Sequence, residues 1–249
     1  HYLQRLRPAS SNESKAGFLV MNLIPQGKSL FLDPLLLPES WLFDLDNTLY
    51  PADSELFRQI DSRMGAYISE LLDVDLVEAH RLQKHYYTTY GTTLSGLIKE
   101  HGADPDDYLQ YVHDIDLSVI EPAPKLDTIL GRLPGAKYVF TNGSVAHAEN
   151  VLGRLGIREK FSGIQDIKAN GYIPKPDPAA YLEIIARFDL SPERAIMFDD
   201  IPANLLPAAD LGIATVWVRN QRWDGHEVGE YISYTTDNLS SWLDCVLTG

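Results

Sequence analysis

The feature that most constrains the fold of this chain is an apolar run that ends in two closely spaced carboxylates. Residues 41–50 read Trp-Leu-Phe-Asp-Leu-Asp-Asn-Thr-Leu-Tyr, so Asp44 and Asp46 are separated by a leucine. Because residues i and i+2 of a strand share one face, both carboxylates would point into the crevice at the carboxyl end of that strand. Carboxylates this close repel each other unless one is protonated or bound to a metal. The pattern therefore predicts an acid–base pair, with a divalent cation as a candidate partner.

Beyond Pro122 the sequence alternates between helical and extended patterns. Helical spacing of apolar residues occurs near 125–133, 145–155, 178–188 and 202–211, and extended runs occur near 137–141, 164–167, 195–199 and 213–218. Strands that alternate with helices form a parallel sheet with helices on both faces. We therefore expect an α/β fold in which residues 41–50 and 122–249 form a doubly wound, Rossmann-like core.

Residues 51–121 have a different pattern. Apolar side chains recur there at helical spacing, at Leu56, Ile60, Met64, Tyr67, Ile68, Leu71, Leu82, Tyr86 and Tyr90. The segment is therefore predicted to be a helical insertion between the first strand and the rest of the core.

Three more polar motifs lie at the ends of predicted elements. Thr141 ends a β-rich run, Lys175 lies between two prolines ahead of a helix, and an Asp199-Asp200 pair ends an apolar strand. Taken singly, each motif has a plainer explanation. Thr141 could belong to a turn and helix cap, Lys175 could be an exposed loop residue, and the acidic pair could cap the next helix. Their occurrence together, in this order, gives them weight.

Together with the run Asp44-Leu-Asp46-Asn-Thr48, these elements resemble the four motifs of the haloacid dehalogenase superfamily. The resemblance implies a phosphatase that forms an aspartyl-phosphate. Asp44 would be the nucleophile, and Asp46 would protonate the leaving alkoxide and then deprotonate the attacking water. Asp46 must then begin protonated while Asp44 stays ionised. Residues 51–121 would be the superfamily's helical cap domain, which excludes water and recognises the leaving group.

The same resemblance implies roles for the residues that surround the phosphate. Thr141 and the backbone N–H groups near Asn142 and Gly143 would hold phosphate oxygens. Lys175 would neutralise charge between the nucleophile and the phosphate.

The cofactor implied is Mg²⁺, bound by the carboxylates of Asp44 and Asp199 and the backbone carbonyl of Asp46. Many relatives carry a further acid four or five positions after the first acid of the fourth motif, where this chain has alanine and asparagine. Asp200 is therefore expected to act as the second acid of the metal site.

Three other segments, 49–51, 85–94 and 111–116, resemble the pyrimidine 5′-nucleotidase branch of the superfamily. This resemblance implies hydrolysis of pyrimidine nucleoside monophosphates such as UMP or CMP. The aromatic and imidazole side chains of the insertion either pack between helices or line a pocket in which a planar base could stack. Tyr90 and His113 are the candidates for contact with the base.

Other functions share part of this pattern. A promiscuous phosphatase of sugar phosphates or cofactors, or a phosphomutase, would use the same core residues. A dehalogenase would have no alkoxide to protonate, so the presence of Asp46 argues against it. A non-catalytic scaffold is disfavoured because all the motif residues are intact.

Composition narrows the class of partner. The chain has 249 residues, 45% hydrophobic and 22% charged, as is usual for a globular protein. Its formal net charge of −14 argues against a nucleic-acid or anionic membrane partner and means that local cations must attract a phosphate ester. Cys245 is the single cysteine, so no internal disulfide can form and a cytoplasmic location is expected.

The N-terminal residues 1–40 fit neither pattern. Residues 1–20 are polar and basic, and the apolar pieces at 18–24 and 30–37 are too short to span a bilayer. We expect a leader over 1–40 that is disordered in part or was introduced by cloning.

Overall fold

The computed structural model describes residues 37–248, and nearly all of the leader predicted over residues 1–40 lies outside them. Within the described residues, six strands form one sheet in the order β3-β2-β1-β4-β5-β6, and every neighbouring pair is parallel. The strands are β1 (Ser40–Phe43), β2 (Ala136–Phe140), β3 (Gly163–Gln165), β4 (Ala195–Asp199), β5 (Ala214–Val218) and β6 (Tyr234–Thr236).

Helices cover both faces of this sheet because its central strands are apolar on both sides. All residues of β1 and β4 are buried, as expected for strands inside a parallel sheet. One face packs against α5 (Pro124–Arg132), α6 (Val145–Leu155) and α9 (Leu239–Thr248), and the other against α7 (Pro178–Phe188) and α8 (Pro202–Asp210).

Four helices are inserted between β1 and α5. They are α1 (Leu56–Leu72), α2 (Leu76–Tyr90), α3 (Thr93–His101) and α4 (Pro105–Val112). They share an apolar cluster of their own that includes Ile68, Tyr86 and Leu97. A Cβ at Gly96 would overlap the Tyr86 side chain, so α2 and α3 pack this closely only because residue 96 is glycine.

The predicted fold class is confirmed: a parallel α/β core carries an inserted helical cap. One detail differs from the sequence prediction. The strand predicted to carry Asp44 and Asp46 ends at Phe43, so both residues lie on the loop after β1 rather than on the strand itself. The C-terminal tail after Arg219 adds β6 and α9 to the core.

The strand order places a crevice between β1 and β4. Successive strands extend in one direction from β1 to β3 and in the other from β4 to β6, and ligands of open α/β sheets bind where the order reverses. Phe43 pairs with Phe198 across these two strands, so Asp44 and Asp199 emerge side by side at the carboxyl edge.

No helix among residues 37–248 combines the length and the apolarity needed to cross a membrane.

Candidate active site

Asp44 occupies the centre of the crevice and is buried. Its Oδ1 accepts a hydrogen bond from Lys175 Nζ at 2.8 Å, and its Oδ2 accepts one from Thr48 Oγ1 at 3.2 Å. Burial raises the pKa of Asp44 to about 7, with the Lys175 ammonium opposing the rise and the Asp199 carboxylate adding to it. The surroundings therefore do not hold Asp44 in its ionised form without further positive charge.

Lys175 is the cation of the site, and all three of its N–H donors are used. They reach Asp44 Oδ1 at 2.8 Å, Asp199 Oδ2 at 2.7 Å and the carbonyl of Phe140 at 2.7 Å. Burial opposes the charge on Lys175, but Asp199 and Asp44 outweigh it and keep the pKa above its usual value. Lys175 is thus a fixed ammonium that holds the Asp44 carboxylate in place.

The loop after β2 holds Lys175 in place and lines the site. Asn142 Oδ1 accepts from the Lys175 backbone N–H at 2.8 Å, and Asn142 Nδ2 donates to the Lys175 carbonyl at 3.0 Å. Thr141 Oγ1 accepts from the Gly143 backbone N–H at 2.9 Å, which leaves the hydroxyl proton free to donate to a ligand. Thr141, Asn142 and Gly143 all line the same cavity as Asp44.

Three carboxylates form a possible cation site: Asp44, Asp199 and Asp200 each offer an oxygen, and these oxygens lie within 4.8 Å of one another. Burial, together with the charges of Asp44 and Asp199, raises the pKa of Asp200 well above its usual value. Lys175 balances only part of this negative charge. A buried, all-oxygen donor set with excess negative charge fits a hard divalent cation such as Mg²⁺.

Asp199, the last residue of β4, and Asp200, which follows it, accept different hydrogen bonds. Asp199 Oδ1 accepts from the Ile201 N–H at 2.9 Å and from Asn204 Nδ2 at 3.0 Å, and Oδ2 accepts from Lys175. Asp200 Oδ2 accepts from Asn220 Nδ2 at 2.9 Å. Among the described residues no donor reaches Asp200 Oδ1, so Asp200 has the freer oxygen for a cation.

Asp46 is half-buried and bound through one oxygen. Its Oδ1 accepts from Tyr50 Oη at 2.7 Å and lies 2.8 Å from His147 Nε2. Burial favours the neutral acid, but His147 and the hydrogen bonds to Oδ1 together hold the pKa of Asp46 below its usual value. The protein groups alone thus favour protonation of Asp44 over Asp46. A cation at the carboxylates would favour ionised Asp44, and a phosphate dianion beside Asp46 would favour its acid form.

These residues meet the inserted helices across one cavity of about 470 Å³. The helices contribute apolar side chains, among them Phe57, Met64 and Leu94, and the polar residues Asp61, Gln83 and Tyr87. Lys84 of α2 and Arg222 of the tail supply exposed positive charge at the same cavity.

The two aromatic candidates for base contact are placed differently. His113 lines the cavity, and burial together with the neighbouring His147 lowers its pKa to about 3. Tyr90 is not among the cavity-lining residues, and its hydroxyl donates to Glu100 at 2.7 Å. Tyr87, on the same helix, lines the cavity instead.

Several functional contacts were not found from the sequence. His147 and Asn220 bind the site's carboxylates from positions outside the motifs, and Tyr50, which lies in the 41–50 run, was given no role there. Asn204 stands where many relatives have an acid, and it donates to Asp199. Asn204 and Tyr50 lie in segments that the sequence singled out, whereas His147 and Asn220 do not.

Comparisons with known proteins find similar sequences and structures. Residues 41–212 match the family model for haloacid dehalogenase-like hydrolases. Phosphate metabolism protein 8 of Saccharomyces cerevisiae is 31% identical over 210 residues, and the match spans 74% of this chain but only 64% of the yeast protein. A glyceraldehyde 3-phosphate phosphatase of Methanopyrus kandleri is 26% identical over 201 residues, which are 75% of this chain and 86% of that protein.

The fold itself is similar to that of solved structures. The crystal structure of a haloacid dehalogenase-type phosphatase from Thermococcus onnurineus matches with a TM-score of 0.59 at 18% sequence identity, over 85% of this chain and 98% of that one. The phosphatase names among these relatives agree with the enzyme class predicted from the sequence.

Proposed function

The chain belongs to the haloacid dehalogenase-like hydrolase family, and on this premise we propose that it is a Mg²⁺-dependent phosphomonoesterase that forms an aspartyl-phosphate on Asp44. The observation that carries the proposal is the placement of Asp44, Asp46 and Lys175 in one cavity beside the acidic cluster. A carboxylate nucleophile, an acid–base partner and a fixed cation are the groups that phosphoryl transfer needs.

In this proposal the chain's own residues share the work as follows. Asp44 attacks phosphorus while Lys175 keeps its carboxylate aligned. Asp46 gives a proton to the leaving oxygen and later takes one from the attacking water. The Thr141 hydroxyl and the N–H groups near Asn142 and Gly143 hold the transferred phosphoryl oxygens.

Mg²⁺ would be held by Asp44, Asp200 and the backbone carbonyl of Asp46, where it would supply positive charge to the phosphate oxygens. Asp200 is preferred to Asp199 as the direct ligand because Asp199 already accepts bonds on both oxygens from Lys175, Asn204 and Ile201. Asp199 would then fix the position of Lys175.

For the substrate we infer a pyrimidine nucleoside 5′-monophosphate. The cavity of about 470 Å³ is within the range of sites that take drug-sized ligands, and its cap side offers apolar surface and the ring of Tyr87 for a planar base. Lys84 and Arg222 would attract the anionic nucleotide to a protein of strong negative charge.

A triose phosphate is the second candidate, since the Methanopyrus kandleri relative is named for glyceraldehyde 3-phosphate. Such a small ligand would leave much of the cavity filled with water. This mismatch in size is why we place it second.

A phosphate-release screen tests the proposal, with UMP, CMP, AMP, GMP, glyceraldehyde 3-phosphate and sugar phosphates, each in Mg²⁺ and in excess chelator. We expect Mg²⁺-dependent release and a kcat/KM for UMP or CMP at least about tenfold above that for purine nucleotides, or ~1.4 kcal/mol of transition-state binding. Preference for glyceraldehyde 3-phosphate would show that the substrate is a triose phosphate and not a nucleotide, while the assignment as a phosphatase would stand. Full activity in chelator, or halide release from a haloacid with no phosphate release, would contradict the proposal.

A further inference from the structure

The side-chain contacts of Asp46 fall on one of its two oxygens. Oδ1 accepts from Tyr50 Oη at 2.7 Å and lies 2.8 Å from His147 Nε2. Within the part of the chain that the structure describes, no donor reaches Oδ2. Since Asp46 lines the cavity, Oδ2 is the oxygen that remains for a ligand.

The ring of His147 is fixed by its surroundings. Only 1% of this residue is exposed, and its backbone N–H donates to Ser144 Oγ at the start of α6. The ring stacks on His113 of the cap, with centroids 4.2 Å apart and planes 5° from parallel. His113 Nδ1 in turn lies 3.1 Å from the same Ser144 Oγ. His147 therefore cannot turn away from Asp46 without breaking its contact with the cap.

We propose that Tyr50 and His147 are positioning residues that reserve the proton of Asp46 for Oδ2. The inference rests on the proposed function, because it refines the acid–base step. A protonated carboxyl has one O–H donor and one carbonyl acceptor. Tyr50 O–H donates to Oδ1, and His147 donates there as well in the form that carries a proton on Nε2, so a proton on Oδ1 would face two donors. The acid form of Asp46 then carries its proton on Oδ2.

The proton balance follows from this arrangement. In the first step an Asp44 oxygen bonds to phosphorus, the bond from phosphorus to the leaving oxygen breaks, and the Oδ2 proton passes to that oxygen. In the second step a water oxygen bonds to phosphorus, the Asp44–phosphorus bond breaks, and a proton of the water returns to Oδ2. One oxygen of Asp46 serves both steps while Oδ1 stays bound to Tyr50 and His147.

Two substitutions of His147 separate the hydrogen bond from the packing. His147→Phe keeps a ring for His113 to stack on but has no donor, whereas His147→Gln keeps a donor and loses the ring. For each variant, kcat/KM is measured with the best alkyl phosphate of the substrate screen and with p-nitrophenyl phosphate, whose leaving group needs little protonation. We expect His147→Phe to lose at least about tenfold on the alkyl ester and at most about threefold on the aryl ester, with His147→Gln recovering most of the loss.

Tyr50→Phe is tested by the same comparison of the two esters and leaves the shape of the side chain almost unchanged. The test therefore does not depend on whether the His147→Phe variant folds. It removes one buried hydroxyl and should also lower kcat/KM more for the alkyl ester than for the aryl ester. Tyr90→Phe is the matched control, since it removes a hydroxyl that is bonded to Glu100 outside the cavity. In this control, any change in kcat/KM should be the same for the alkyl ester and the aryl ester.

Equal losses on the two esters in the Tyr50 and His147 variants, or no loss, would overturn the inference while the phosphatase proposal stands. Absence of phosphate release by the wild type from either ester would instead refute the proposed function, and this inference with it.

Discussion

At the scale of single residues, Asp199 and Asp200 show how neighbours in sequence can have different tasks. Asp199 is fully buried and accepts hydrogen bonds on both oxygens, whereas no described donor reaches Oδ1 of Asp200. Asp200→Ala should therefore raise the Mg²⁺ concentration for half-maximal activity by about tenfold or more, because a ligand is lost. Asp199→Ala should chiefly lower kcat at saturating Mg²⁺, because Lys175 is released. A Mg²⁺ titration of the activity of both variants decides which aspartate is the metal ligand. A raised Mg²⁺ requirement in Asp199→Ala and a lowered kcat in Asp200→Ala would return the ligand role to Asp199.

In the proposed mechanism, Asp44 is the residue on which the chemistry depends. Asp44→Asn keeps the shape and still accepts a hydrogen bond from Lys175, but a neutral amide is a poor nucleophile. We expect kcat to fall at least about a hundredfold while the far-UV circular dichroism spectrum and thermal midpoint in chelator are retained. Retention of more than about a tenth of kcat, less than ~1.4 kcal/mol of lost barrier stabilisation, would contradict the nucleophile assignment.

The sequence predicted some residues of this site and could not predict others. Asp44 and Asp199 stand in motifs at the ends of apolar strands, Lys175 stands in a proline-flanked motif ahead of a helix, and the structure brings all three together. His147 could not be found in this way, because its contact with Asp46 joins positions about a hundred residues apart through the packing of α6. A contact that depends on tertiary packing leaves no local pattern in the sequence.

At the scale of elements, α2 shows how a helix divides its side chains between the cavity and the outside. Tyr87 lines the cavity, and Tyr90 bonds Glu100 outside it. Tyr87→Ala should lower kcat/KM for UMP by about tenfold, the worth of one base–aromatic stack, with little change for p-nitrophenyl phosphate. Tyr90→Ala is the control and should change neither substrate by more than about twofold. An equal effect of the two substitutions would remove α2 from base recognition.

The elements themselves were largely predictable. Apolar runs and helical spacing placed the core elements to within a few residues, since buried strands and amphipathic helices have different periods. The orientation of α2 was harder to predict, because aromatic side chains occur on both its buried and its exposed faces. Strand β6 was missed because it is short and only half-buried, so its residues carry little apolar pattern.

At the scale of the whole molecule, the site makes stability depend on pH and on cations. The pKa of Asp44 is raised to about 7 and that of Asp200 is also raised, whereas both would lie at about 4 in the unfolded chain. The folded state therefore binds more protons than the unfolded state in this interval, so these groups lower the free energy of unfolding as the pH rises through it. A cation bound to the carboxylates should reduce this loss of stability at higher pH.

Thermal midpoints of wild type and Asp44→Asn in chelator test that linkage. The midpoint of the variant should rise relative to that of the wild type between about pH 5.5 and about pH 8, and Mg²⁺ should stabilise the wild type more at the higher pH. His113, whose pKa is lowered to about 3, acts in the opposite direction but is present in both proteins. A constant difference between the two midpoints would show that Asp44 is not held at a raised pKa.

The central claim is that phosphate passes through a covalent bond to Asp44, and trapping that bond tests it most directly. Asp46→Asn with p-nitrophenyl phosphate should accumulate the intermediate, because the leaving group needs no acid while the attacking water has lost its base. After acid quench and borohydride reduction, peptide mass spectrometry should find homoserine at position 44, and none in a variant that also carries Asp44→Asn. Phosphate on another residue, or turnover with position 44 unmodified throughout, would contradict the account.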